Sequence, residues 1–175
     1  DQLVEISRLC REYGITKCAK VVRGGENRVH SVLLAALEAG DAELLAVQDG
    51  ARPLTTPQLI DEVIALAERC GAAAPAVQVK DTVKQVRSDG AVERTLDRSA
   101  LRAVQTPQVF QADLLKAALQ SALESGAAVT DDCAAVERLG KTVYLTEGDE
   151  TNLKITTPAD LILAEALLRA REERL

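Results

Sequence analysis

The sequence predicts an α/β chain, with a mostly parallel sheet, helices on both of its faces, and a β-hairpin projecting from it. Three observations predict this. Over the first 80 residues, short apolar runs alternate with helix-period segments in the order β-α-β-α-β, an order that requires a parallel sheet with right-handed crossovers. Residues 81–97 (DTVKQVRSDGAVERTLD) break that rhythm, alternating about a central Ser88-Asp89-Gly90 as a hairpin does. The chain has 175 residues, 47% of them apolar, enough to build one domain around a real core.

Each element has its own local reason. In residues 2–13, Leu3, Ile6, Leu9 and Cys10 share one face and Gly14 follows as a stop, which predicts a helix. ITKCAKVV (15–22) reads as a strand running into the turn RGGENR, and HSVLLAALEAG (30–40) as a helix closed by Gly40. ELLAV (43–47) reads as a buried strand. Thr56 then Pro57 reads as an N-cap followed by proline at the first helical position, opening a helix to about Cys70. AAAPAVQV (72–79) reads as the next strand. The alternating segment 81–97 is nearly as polar as apolar, so it is expected to project rather than fill the core. An isolated hairpin is marginal in water, which points to an arm that rests on a second copy of the chain. Beyond it come a loop around Thr106-Pro107-Gln108, a helix near 111–124, a short helix capped by Thr130 or Asp131, a strand at 142–146, and a final helix opened by Thr157-Pro158. With no repeats and no low-complexity segment, the whole is a single Rossmann-like domain, residues 81–98 forming the arm.

Composition narrows the function. A formal net charge of −6 disfavours general binding to nucleic acid or an anionic membrane, while leaving room for an anionic substrate where a few cations converge. No apolar run is long enough to span a bilayer, and the start does not read as a signal peptide. Cys10, Cys18, Cys70 and Cys133 have neither CxxC pairing nor zinc-like spacing with the single His30, so they read as reduced thiols of a cytosol-like compartment. The chain begins at Asp1 and contains no methionine, which suggests a piece of a longer chain.

In open α/β sheets ligands bind beyond the carboxyl ends of the strands, and several turns are expected to meet there. In GGENRVHS two glycines allow close backbone approach, and Arg28 and Ser31 enter a helix whose N-terminus favours anions; a plain glycine turn with a solvated arginine explains the same letters. Asp49 suits Mg²⁺ and Arg52 matches phosphate, but a local Asp–Arg pair or Asx-turn fits equally. Thr82 and Arg98 flank the hairpin, as site residues or as solvated strand ends. Thr106 can donate a hydrogen bond and is uninformative alone. Lys154, inside the strand-like apolar segment NLKIT, could meet a phosphate as a point charge or guard an edge strand. His30 reads as a helix-surface or core residue rather than a base, and no Ser-His-Asp arrangement is present. Asp131 and Asp132 are explained by an N-cap.

The order of these pieces is more specific than any one of them. GGxxRxxS, D-G-A-R-P, D-T, a hairpin ending in D-R, T-P-Q-x-F, T-D-D and N-x-K-I-T-x-P-x-D follow one another from Val21 to Leu168. This series closely resembles the 2-C-methyl-D-erythritol 4-phosphate cytidylyltransferase family. The resemblance implies transfer of CMP from CTP to methylerythritol phosphate with Mg²⁺, release of pyrophosphate, and a homodimer whose arm crosses to the neighbouring subunit. It implies cytosine reading by Gly25, Glu26 and Ser31, a metal and ribose-side carboxylate at Asp49, and Arg52, Thr82, Arg98 and Thr106 around the methylerythritol phosphate. It implies Lys154 near the α-phosphate. A bacterial cytoplasm and a plastid both fit. The resemblance begins in the family's second αβ unit, and the family's opening glycine-rich loop, with its Arg and Lys around the triphosphate, has no counterpart here. A chain that truly began at Asp1 is therefore expected not to catalyse. Ribitol 5-phosphate cytidylyltransferase is the near alternative, with Ala51 leaning toward methylerythritol phosphate. A non-catalytic dimerisation or regulatory fragment is another. A receiver-like phosphoacceptor domain fits poorly, lacking an early acidic pair.

Overall fold

A computed structural model describes residues 2–173. In chain order the elements are α1 (Gln2–Glu12), α2 (Arg28–Leu37), β1 (Leu44–Val47), α3 (Pro57–Cys70), β2 (Ala72–Gln78), β3 (Lys84–Val86), β4 (Val92–Thr95), a 3-10 turn (Arg98–Ala100), β5 (Arg102–Val104), β6 (Gln108–Gln111), α4 (Ala112–Glu124), α5 (Asp132–Arg138), β7 (Tyr144–Glu147) and α6 (Pro158–Glu172). The chain is α/β, as expected. Its contacts divide it into two compact units, one from Asp1–Leu45 and Phe110–Thr142, the other from Ala46–Val109 and Val143–Leu175. Among the described residues no helix is long and apolar enough to cross a membrane.

The first unit is helical at its centre. Helix α4 buries Ala112, Leu115, Ala118, Leu119 and Ala122 and packs against α2 and α5. Its alanines let the neighbouring helices approach closely, while Leu115, Leu119 and Phe110 supply the apolar volume, each fully buried. Asn27 caps α2 by accepting from the His30 N–H, and Asp131 caps α5 by accepting from the Ala134 N–H. Of the two candidate caps for α5, the aspartate is therefore the one used. The expected strand at 15–22 does not form: these residues are irregular and mostly exposed. An apolar run becomes a strand only with a neighbour to complete its ladder, and no described strand pairs with this one.

In the second unit β2 is central. Its residues Ala72–Ala76 are buried, and α3 packs on β2 and β7 through its Leu59, Val63, Ala67 face. Thr56 caps α3, Pro57 opens it and Gly71 closes it. β7 runs parallel to β2 with Ala73 opposite Tyr144, whereas β5 runs antiparallel with Ala76 opposite Val104. The sheet is thus mixed, with one parallel and one antiparallel pairing on β2. The cause is the hairpin: a chain that turns back without a helical crossover returns antiparallel. β3 and β4 pair antiparallel, Lys84 opposite Thr95, with a register shift at Gln85/Val86. Every residue of both strands is exposed, so polar cross-strand pairs such as Lys84 Nζ to Thr95 Oγ1 (2.7 Å) and Arg94 Nε to Gln85 Oε1 (2.8 Å) hold it together.

None of the four cysteines forms a disulfide. Burial pushes the Cys133 thiol far up, and Asp131, Glu137 and Asp132 add to the shift, which makes it inert.

Candidate active site

Three loops of the second unit converge: residues 48–56 after β1, 105–107 between β5 and β6, and 148–156 after β7. The joint between them is Asn152, which is fully buried. Its Nδ2 donates to the Thr106 carbonyl (2.9 Å) and its Oδ1 accepts from the Thr55 hydroxyl (2.8 Å). Its own carbonyl accepts from the Arg52 guanidinium. Gln105, also buried, donates to the Asp149 carbonyl (2.9 Å) and accepts from the Asp149 N–H (3.2 Å). The Ile155 N–H donates to the Ala51 carbonyl (2.8 Å), and Arg171 of α6 donates to the Leu54 carbonyl and Thr151 hydroxyl. Gly148 lets the third loop lie against β2. A Cβ there would meet the Ala76 carbonyl carbon and Gln105 Oε1 at 2.8 Å each, too close for any side chain.

On this frame stand the charged groups. Asp49 Oδ2 lies 2.9 Å from Lys154 Nζ and 3.7 Å from Arg52 Nε. The Asp49 N–H donates to the Thr106 hydroxyl (3.0 Å). Arg52 is only 12% exposed against 46% for Lys154, so the guanidinium is built in while the ammonium reaches solvent. Burial pulls Arg52 below the usual guanidinium range, and the charge of Asp49 opposes the pull; an arginine stays charged through such a shift. Its Nε is buried with no hydrogen-bond partner. Two cations thus face one carboxylate, a local positive excess in a chain whose net charge is −6, and the arrangement suits an anion carrying phosphate. Among the described residues no group of three His, Cys, Asp or Glu side chains is placed to hold an ion.

The predicted residues therefore divide into groups. Asp49, Arg52, Thr106 and Lys154 come together, and both readings of Asp49–Arg52 are partly right, since the local pair exists and Lys154 joins it. Lys154 is not in a strand; residues 152–156 are irregular, held by Asn152 and Ile155, so an edge-strand guard is excluded. Thr82 and Arg98 lie exposed at the two ends of the hairpin, and Arg98 donates to the Lys80 carbonyl. Arg98 also lines a cleft of about 780 Å³ with Lys80, Arg102, Glu147 and Glu150.

In the first unit Gly25, Glu26 and Ser31 form one turn. The Gly25 N–H donates to Ser31 Oγ (3.0 Å), whose hydroxyl donates to the Asn27 carbonyl (2.8 Å). The Glu26 N–H donates to His30 Nδ1 (3.3 Å), so His30 is a turn-holding acceptor. A Cβ on Gly25 would meet the His30 ring at 2.3 Å, so the glycine there is dictated by the imidazole. Arg28 is not a solvated arginine: it grips the buried Asp132 with two hydrogen bonds, of 2.9 and 2.6 Å. Asp132 is accordingly more than a helix-capping neighbour. The sequence reading missed Asn152, Gln105, Thr55 and Gly148. The signal for the first two was a short amide beside a site motif, Gln105 before T-P-Q and Asn152 before L-K.

Comparison with known proteins identifies relatives of this chain. Residues 2–170 match the family model described as IspD, 2-C-methyl-D-erythritol 4-phosphate cytidylyltransferase. The enzyme of that name from Bacillus cytotoxicus is 46% identical over 167 residues, 95% of this chain and 74% of the relative. Its namesake from Desulforamulus reducens is 50% identical over 157 residues, 89% of this chain and 67% of the relative. The crystal structure of the Thermus thermophilus enzyme superposes with a TM-score of 0.76 at 42% identity, covering 85% of this chain and 72% of that one. The 4-diphosphocytidyl-2C-methyl-D-erythritol synthase of Anaerococcus prevotii superposes with a TM-score of 0.83 at 32% identity, covering 94% and 73%. By these matches the chain belongs to the 2-C-methyl-D-erythritol 4-phosphate cytidylyltransferase family.

Proposed function

We infer that this chain carries the transfer site of a nucleotidyltransferase that moves CMP from CTP to 2-C-methyl-D-erythritol 4-phosphate. The products are CDP-methylerythritol and pyrophosphate, in isoprenoid precursor biosynthesis. The observation that carries the reading is the Asp49–Arg52–Lys154 cluster on the loops joined by Asn152, in a chain of this family. The family's own substrate favours methylerythritol phosphate over ribitol 5-phosphate.

A phosphate oxygen of the acceptor attacks the α-phosphorus of CTP and pyrophosphate leaves. The nucleophile is already an anion, so no general base is required. The barrier lies in crowding negative charge onto a pentavalent centre, and cations fixed in advance lower it. Lys154 supplies one such charge, on an exposed stem. Arg52, held through its contact with the Asn152 carbonyl, offers the rest of its fork to the acceptor's phosphate. Thr106 uses its hydroxyl oxygen to accept from Asp49 N–H and keeps its proton to donate to a phosphate oxygen. Asp49 would hold Mg²⁺. A single carboxylate suits this ion where substrate phosphates complete its shell, and the ion would neutralise triphosphate charge when bound. In this reading Gly25, Glu26 and Ser31 read the cytosine. Residues 81–98 form a dimerisation arm on the single nucleotidyltransferase domain, and through it Thr82 and Arg98 serve the site of the neighbouring subunit. The setting is a bacterial cytoplasm or a plastid.

The test is pyrophosphate release from CTP and Mg²⁺ with each acceptor, using the full natural chain that carries these residues. Faster turnover with methylerythritol phosphate is expected. Faster turnover with ribitol 5-phosphate would reassign the substrate, and release with neither would overturn the transferase reading.

A further inference from the structure

We propose that Asn152 is a positioning residue of the transfer step, fixing Arg52, Thr106 and Lys154 through one buried amide. The proposal rests on the cytidylyltransferase reading. Asn152 is fully buried in a loop, where a polar side chain has to satisfy every bond it brings. Its Nδ2 donates to the Thr106 carbonyl (2.9 Å) and, more weakly, to Gln105 Oε1 (3.4 Å). Its Oδ1 accepts from Thr55 (2.8 Å), and its N–H donates to the Asp149 carbonyl (2.9 Å). Its carbonyl accepts from both Arg52 and Gln105 Nε2. These partners orient the amide: turned over, its oxygen would face the Thr106 carbonyl and its nitrogen would lose an acceptor.

Two of these bonds lead directly to groups placed to face the phosphates, Arg52 and Thr106. The Arg52 guanidinium is anchored on the Asn152 carbonyl. Thr106, whose hydroxyl meets the Asp49 N–H, hangs on the Asn152 side chain. Lys154 lies between Asn152 and Ile155, whose N–H is fixed on the Ala51 carbonyl. A displaced Asn152 therefore moves all three cation and donor groups together. Phosphoryl transfer depends on such placement more than on covalent chemistry, and a misplacement of about 1 Å costs on the order of a hundredfold in rate.

The test uses Asn152→Asp, which keeps the shape but replaces two donors with an acceptor, and Thr55→Val, which removes the bond to Oδ1 together with the Thr55 hydroxyl's contacts to the Arg52 carbonyl and Gln48 Nε2. Turnover and KM for both substrates are measured in the full natural chain, below the melting temperature of every variant. Asn152→Asp is expected to lower kcat on the order of a hundredfold with little change in the CTP KM, and Thr55→Val to lower kcat several-fold in the same pattern. Because Asn152 acts through Arg52, Asn152→Asp combined with Arg52→Lys is expected to cost less than the product of the single losses. Unchanged kcat in both variants, or strictly multiplicative losses, overturns the positioning role. Should Asn152→Asp not fold, Thr55→Val decides. Absence of pyrophosphate release from the wild type overturns the transferase reading and this role with it, whereas normal wild-type turnover with unaltered variants overturns the role alone.

Discussion

Lys154 and Arg52 share Asp49, but they are held differently, and that difference sets what each can do. Arg52 is nearly enclosed and tied to a backbone carbonyl; Lys154 is half exposed and held by its ion pair with Asp49. The lysine is the group free to follow charge as it develops on the α-phosphate. Lys154→Ala is therefore expected to lower kcat by roughly a hundred- to thousandfold, the scale of losing one preorganised charge-stabilising group, with a much smaller change in CTP affinity. Steady-state kinetics beside a direct CTP titration checks this, and an equal loss in both would mark Lys154 as a ground-state contact. At this scale the sequence was half legible. Asp49 and Arg52 were visible as charges where an apolar run ends, and Lys154 as a charge inside one. Arg28 was left open between a site residue and a solvated arginine, and neither reading named its partner Asp132, which is 104 positions away. Asn152 and Gln105 stayed hidden because burial decides their meaning, and an amide in a loop does not announce whether it is buried.

Among the elements, those with local punctuation formed where expected. Thr56-Pro57 opens α3, and Thr157-Pro158 opens α6 with a full capping box, Thr157 and Asp160 each bonding the other's backbone N–H. The backbone N–H groups of Thr156 and Thr157, in that order, together with the Thr156 hydroxyl, pull the Asp160 carboxyl from its ordinary 3.8 down to about 2. A carboxylate held below its unfolded value stabilises the fold above that value. This contribution, complete above pH 3.8, is lost as pH falls through about 2. Urea unfolding between pH 5 and 2 is expected to show a loss of stability across this window in the wild type and a flatter one in Asp160→Ala; equal slopes would remove the capping box from the acid response. The segment 15–22 had strand composition but no partner, and β5 formed an antiparallel pairing with β2 that its own letters do not signal. Both outcomes belong to pairing, which no single segment encodes.

At the scale of the whole molecule the hairpin strands bury nothing in their own chain: every residue of β3 and β4 is exposed, including Val86 at 56% and Val92 at 55%. The hairpin's proposed task is to join two subunits. Deleting Gln85 to Arg94 is expected to leave monomers in sedimentation, and an unchanged dimer would refute the arm. What the letters alone determined were the helices, the caps at Thr56 and Thr157 and the hairpin turn, because those depend on neighbours within a few positions: Thr56 with Leu59, Thr157 with Asp160, Ser88 to Gly90. They also determined the order of motifs that marks the family. Tertiary structure alone decided which groups meet. Asn152 reaches Thr106 across 46 positions and Arg52 across 100, and the Asp49 N–H reaches the Thr106 hydroxyl across 57. Such bonds form only once the loops are already side by side and water has been excluded, so their partners are chosen by packing rather than by spacing along the chain.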